Sequence, residues 1–178
     1  MTYGSDTCKR DMVSFSRDLI ESGFTTSDSI IGCDAGEIAQ VYSVAPDSFP
    51  IPGEYHAFLE QMGKQAGTLF RGTDLYFPRM LDSIDAAADI SSEGLSLDHR
   101  FFFGHHQGYK VYFFELGSDA VYCYQEGYPE VTKLADNFLG FLRNAWVVQQ
   151  KIREDTAALR GHTGQHSAAS TIDSVESL

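Results

Sequence analysis

Residues 49–63 read Phe-Pro-Ile-Pro-Gly-Glu-Tyr-His-Ala-Phe-Leu-Glu-Gln-Met-Gly, a helix with its start and stop written into it. Pro52 suits the first turn, where a missing N–H costs nothing. Glu54 beside it complements the positive end of the helix dipole. Tyr55, Phe58, Leu59 and Met62 then fall at i, i+3, i+4 and i+7, one apolar stripe. Gly63 is read as the left-handed residue that closes the helix. Such a stripe has to be buried against something, so the elements on either side decide the fold.

Towards the N-terminus, Met12, Phe15, Leu19 and Ile20 predict a helix over Asp6–Ser22 that ends near Gly23. After a polar connector at Thr25–Ser29, a second helix is expected over Asp34–Val44, with Ile38, Val41 and Tyr42 facing inward. Asp34 is its candidate N-cap, Glu37 completes a capping box, and Pro46 ends it. Towards the C-terminus, Gly67–Phe70 reads as short and strand-like, and Tyr76–Pro78 as an extended piece at a sheet edge. Met80–Ile90 reads as a helix closed by Gly94.

Three strands follow, Phe101–Gly104, Tyr109–Leu116 and Ala120–Gln125, joined by the hairpin-length links His105–Gly108 and Gly117–Asp119. This is an antiparallel meander. Val111 and Phe113 point one way, Tyr112, Phe114 and Leu116 the other, so both faces are apolar. Cover on both is expected, helices on one and loops or a partner on the other. Thr132–Leu159 reads as one closing helix with a stripe of Leu134, Phe138, Phe141, Leu142, Ala145 and Trp146. Residues 161–178 are poor in hydrophobics and read as a flexible tail after a single domain over 1–160. The fold class expected is α+β, a mostly antiparallel sheet with helices packed on one face.

With 25 acids against 13 bases the net charge is −12. Such a surface repels nucleic acid and favours a basic protein partner. Three cysteines without a CxxC pair argue against a disulfide framework or zinc finger. No apolar run approaches the roughly 20 residues that span a bilayer, and Met1–Arg10 lacks the apolar centre of a secretory signal. A soluble, cytoplasmic protein with no membrane contact is the expectation.

Chemistry is weakly signalled. His99, His105 and His106 with Asp98 are the best metal-like group, but adjacent histidines in an extended chain point to opposite sides, and HExxH is absent. A polar hairpin turn with solvent-facing histidines is the plainer reading. His162 and His166 fall in the Gly-rich tail. Phosphate-binding glycine loops are absent, and no catalytic, cofactor-binding or metal residue is assigned. Asp98, Asp119 and Glu126 lie in or beside the links of the meander, where binding residues concentrate. With Tyr109 and Tyr124 as aromatic anchors they are the candidate partner-binding residues.

The order of these pieces resembles the SUKH superfamily, specifically its Smi/Knr-type branch. Its Leu-Pro-x-x-Tyr-x-x-Phe-Leu segment is matched by Ile51-Pro52-Gly53-Glu54-Tyr55-His56-Ala57-Phe58-Leu59. Ile30-Ile31-Gly32, the meander pieces Phe102-Phe103-Gly104, Val111–Leu116 and Val121-Tyr122, and Phe138–Leu142 follow in the family's order, over roughly residues 30–145. Met62-Gly63-Lys64 stands where the family often has Asn-Gly-Gly. The resemblance implies a compact α+β domain. It also implies a non-enzymatic immunity protein that binds a cognate polymorphic toxin, often a nuclease, and occludes its active site. A regulatory or scaffold module of the same fold is the alternative, and a small metal-dependent enzyme built on His99, His105 and His106 a third.

Overall fold

The structure is a computed structural model that describes residues 3–91, 95–128 and 130–165. Among the described residues five α-helices run in chain order as α1 (Tyr3–Glu21), α2 (Ala35–Ser43), α3 (Gly53–Met62), α4 (Ser83–Ile90) and α5 (Phe138–Gln165). Two short strands, β1 (Ile30–Ile31) and β2 (Gln65–Ala66), pair antiparallel. A second antiparallel sheet runs β3 (Arg100–His106), β4 (Lys110–Glu115), β5 (Val121–Gln125) and β6 (Thr132–Ala135) in sequence order. The fold is α+β with an antiparallel sheet.

The stripe of α3 is the centre of the core: Tyr55, Phe58, Leu59 and Met62 are fully buried. The Tyr55 ring lies 5.4 Å from Phe103, 5.5 Å from Phe114 and 5.0 Å from Phe138, edge-on or tilted. Each such pair adds about 0.5–1.5 kcal/mol beyond the area it buries. The Tyr55 hydroxyl donates to Met80 Sδ at 3.5 Å. Helix α1 buries Met12, Phe15 and Leu19 on the same core and ends at Gly23, whose φ of 68° is left-handed. Helix α2 carries the expected capping box: Asp34 Oδ1 accepts from Glu37 N, and Glu37 Oε2 from Asp34 N, both at 2.9 Å.

Gly63 does not close α3 in the left-handed region; its φ is −65°. It is glycine for space. A Cβ there would stand 2.7 Å from both Cys33 Sγ and the Leu59 carbonyl oxygen. Tyr42 turns outward from α2, and its hydroxyl meets His56 Nδ1 on α3. Residues 67–70 form turns, the pairing having been made one step earlier by Gln65–Ala66 with β1. Tyr76–Pro78 pairs with no strand; Asp74 makes the contact with the sheet edge, exchanging two backbone hydrogen bonds with His105. A 3-10 turn at Arg79–Asp82 precedes α4, and Gly94 lies outside the described residues.

The expected long closing helix is divided. Thr132–Ala135 form β6, paired with β5, before α5 begins at Phe138 and carries past residue 160 to Gln165. Residues 166–178, most of the expected tail, lie outside the described residues.

Helices cover both faces of the large sheet, not one. Phe101, Phe103 and Phe114 face α3 and α5, whereas Phe102, Val111, Phe113 and Tyr124 pack on Ala87 and Ile90 of α4 and on Leu95. The aromatic face assigned to loops or a partner is therefore closed within the chain. A bulge between Phe102 and Gly104 shifts the register. A Cβ on Gly104 would stand 2.6 Å from the end of the Leu75 side chain, which would have to move to make room.

Candidate protein-binding surface

The meander's register sorts the candidate residues into two ends. Arg100 pairs with Glu115, so Asp98 and Asp119, just beyond that pair, share one end of the sheet, and both are exposed. Lys110 pairs with Gln125, so Tyr109 and Glu126 lie at the other end, where Glu126 N donates to Tyr109 O at 2.8 Å. Along the six residues of β4 this separates them by about 17 Å. Tyr124 joins neither end. It is 4% exposed beneath α4 and cannot act as an anchor.

The end with Asp119 gathers carboxylates that are remote in sequence. Burial first, then Glu54, Asp11 and, more weakly, Asp119 push the Cys8 thiol above its ordinary pKa. Asp11 comes from α1 and Glu54 from α3. Sequence reasoning missed both as part of this surface, since only the packing of α1 on α3 brings them there. Glu115 at the same end is engaged, its Oε1 accepting from Arg100 Nη2 at 2.8 Å.

The histidines do not form one site. His99, exposed and with φ of 60°, precedes β3 at the acidic end; His105 and His106 close β3 at the opposite end. Neither of the latter two is a solvent-facing turn residue, because β3 runs through both. Strand alternation sends them to opposite faces. His106 Nδ1 meets Thr73 Oγ1 at 2.9 Å. His105 Nδ1 lies 3.3 Å from Ser83 Oγ, and its Nε2 lies 3.3 Å from Asp74 Oδ2. Ser83, His105 and Asp74 thus have the order of a nucleophile, base and orienting acid, a constellation invisible in the sequence. Acyl transfer needs a hydroxyl that a substrate can reach, and Ser83 is 0% exposed. The three side chains tie α4 and the Asp74 segment to β3. Among the described residues no group of three or more His, Cys, Asp and Glu side chains is placed to hold a metal ion.

A groove opens on the α5 side of the sheet, beyond the His106 end. It encloses about 530 Å³ between Tyr109, Lys110 and Tyr112 of the sheet, Phe70 and Arg71 of the preceding loop, and Phe141 to Ile152 of α5. Tyr109 is 38% exposed and stands edge-on to His106. This places one sequence-predicted anchor on the groove and away from Asp98 and Asp119.

No family model matches the chain, and no curated protein matches it. Among the described residues no helix is long and apolar enough to cross a membrane.

Proposed function

We propose that the protein is a non-enzymatic, cytoplasmic binding protein of SUKH type. It acts as an immunity protein that neutralises a cognate polymorphic toxin by covering the toxin's active site. The observation that carries the reading is the acidic end of the sheet. Exposed Asp98 and Asp119 both lie beyond the Arg100–Glu115 pair at that end, and Asp11 and Glu54 add their charge to Asp119's at Cys8. In a chain of net charge −12 this end attracts a basic protein surface, speeds encounter and fixes register. The order of the motif helix, meander and closing helix supports the family assignment.

The test is co-expression with the product of the neighbouring gene. The protein should protect cells and co-purify with that product. Asp98→Lys with Asp119→Lys should slow association by about tenfold or more at low salt, while an Asp85→Lys control on α4 leaves it unchanged. Failure to protect against or bind any neighbouring toxin refutes the proposal.

A further inference from the structure

Net charge conceals a local reversal along α5. Lys9, Arg17, Lys64, Arg79, Arg100 and Lys133 each pair with a carboxylate. The cations of the α5 groove do not. Arg71 has no carboxylate partner among the described residues. Lys110 places its ammonium 5.4 Å from the Tyr112 ring centroid. Arg153 stacks over Phe24 at 4.9 Å and donates to the Phe24 carbonyl oxygen at 3.1 Å, contacts that leave its charge unneutralised. Arg71 and Lys110 line the 530 Å³ groove, and Arg71 and Arg153 line a second hollow of about 460 Å³ that continues it along the helix. Among the described residues no carboxylate lines either hollow.

Between these cations the walls are apolar, aromatic at Phe70, Tyr109, Tyr112 and Phe141 and aliphatic along the outer turns of α5. The apolar stripe of α5 begins in the core at Phe138 and Phe141, then runs out of the sheet's cover onto Val148 and Ile152, each 58% exposed. Gln149 bridges the helix to the loop, its amide nitrogen donating to Thr68 O at 3.2 Å and its oxygen accepting from Phe70 N at 3.0 Å. The groove therefore has a fixed wall.

We infer that this groove is a second interaction surface, which binds a protein segment carrying Asp or Glu beside aliphatic side chains. Charge complementarity selects the occupant: three cations, Arg71, Lys110 and Arg153, gathered from a loop, a strand and a helix with no ion-pair partner among the described residues, call for carboxylates. Exposed Val148 and Ile152 call for apolar anchors on the partner, and a net charge of −12 disfavours nucleic acid as the occupant. The surface is opposite in sign to the one proposed for the toxin and independent of it.

The test is selection of short random peptides displayed on phage against the full chain, then fluorescence anisotropy with the enriched peptide. Enriched peptides should combine Asp or Glu with Leu, Ile or Val. Binding should weaken about tenfold or more in Arg71→Glu with Lys110→Glu, and in Ile152→Asp; Arg71 and Ile152 are exposed and Lys110 half-buried, and the thermal melt of each variant checks that the fold is kept. Binding should also weaken with added salt. The inference is overturned if no peptide is enriched, if enriched peptides lack acids, or if the variants bind as wild type does. Tighter binding of an oligothymidine would replace the protein segment by single-stranded nucleic acid. A dimer abolished by Ile152→Asp would replace it by a second copy. A chain stopped after Gln165 that binds the peptide about tenfold tighter would replace it by residues 166–178. The toxin protection assay reads none of these outcomes, so the two proposals fail separately.

Discussion

Glu54 serves two helices, and replacing it tests how they are joined. It stands in the first turn of α3, yet its Oε2 accepts a 2.8 Å hydrogen bond from the backbone N–H of Leu139, in the first turn of α5. Asn137 Oδ1 takes the next donor, from Gly140 N, also at 2.8 Å. One carboxylate thus faces the positive ends of two helices and satisfies a donor that α5 cannot satisfy itself. A hydrogen bond to a charged group contributes about 1.5–3 kcal/mol, and favourable charge at a helix end about 0.3–1 kcal/mol. Glu54→Ala should therefore destabilise by about 2–3 kcal/mol. For a chain of this size that lowers Tm by roughly 4–12 °C.

Glu54→Gln keeps an acceptor and loses the charge, so it should cost about 1 kcal/mol. Chemical denaturation of the three proteins gives the order wild type, Gln, Ala. In a cycle with Asn137→Ala the two losses should fall short of additive, because a frayed helix end has less for the second cap to hold. An alanine variant within about 0.5 kcal/mol of wild type, or a glutamine variant as unstable as alanine, refutes the argument.

The remaining predictions concern Gly63 and the alkaline limit of stability. Gly63→Ala puts a methyl group 2.7 Å from Cys33 Sγ and from backbone atoms of Leu59. It should cost about 2–3 kcal/mol by overpacking. Adding Cys33→Ala should relieve part of that loss, since the Leu59 contact remains; a neutral Gly63→Ala or a full rescue refutes this. Burial, then Glu37, pushes the Cys33 thiol from 9.0 to about 11. Burial, then Glu60, pushes the Tyr42 hydroxyl from 10.0 to about 12. Both folded values lie above the unfolded ones, so this stabilisation is complete below pH 9 and is lost as pH rises from 9 to 12. Tm measured across that range should fall, and Cys33→Ala should flatten the fall between pH 9 and 11. A Tm unchanged at pH 11 refutes the assignment.

What the sequence made legible was periodicity. The stripes of α1 and α3, the capping box of α2 and the meander each repeat a pattern within a few residues, and each stands where its pattern placed it. What it hid was contact between distant residues. Gly63 was read by its position after a helix, but its reason is Cys33, packed against it through the Cys33 N to Leu59 O bond. β6 was absorbed into the helix that follows because Leu134 extends that helix's stripe by four residues, and an edge strand with exposed Thr132 and Lys133 has no pattern of its own. Tyr124 and Tyr109 were alike as exposed tyrosines. Only the pairing of Tyr124 with Val111 sends it under α4, while Tyr109, one residue before β4, stays on the rim.

Net charge was legible too, and its lesson is limited by distance. A total of −12 argues for a basic partner only where acids dominate within a screening length, about 8 Å at physiological salt. The acidic end at Asp98 and Asp119 and the groove at Lys110 and Arg71 lie at opposite ends of β4, about 17 Å apart. At that separation an exposed charge on one surface is largely screened from a ligand at the other. The composition therefore bears on the proposed encounter at the acidic end and is silent about the groove, whose sign is set by three cations from a loop, a strand and a helix. A protein built this way can hold a basic surface at one end and an acidic segment at the other. Raising ionic strength should weaken both, while reversal of Asp98 and Asp119 leaves peptide binding at the groove intact.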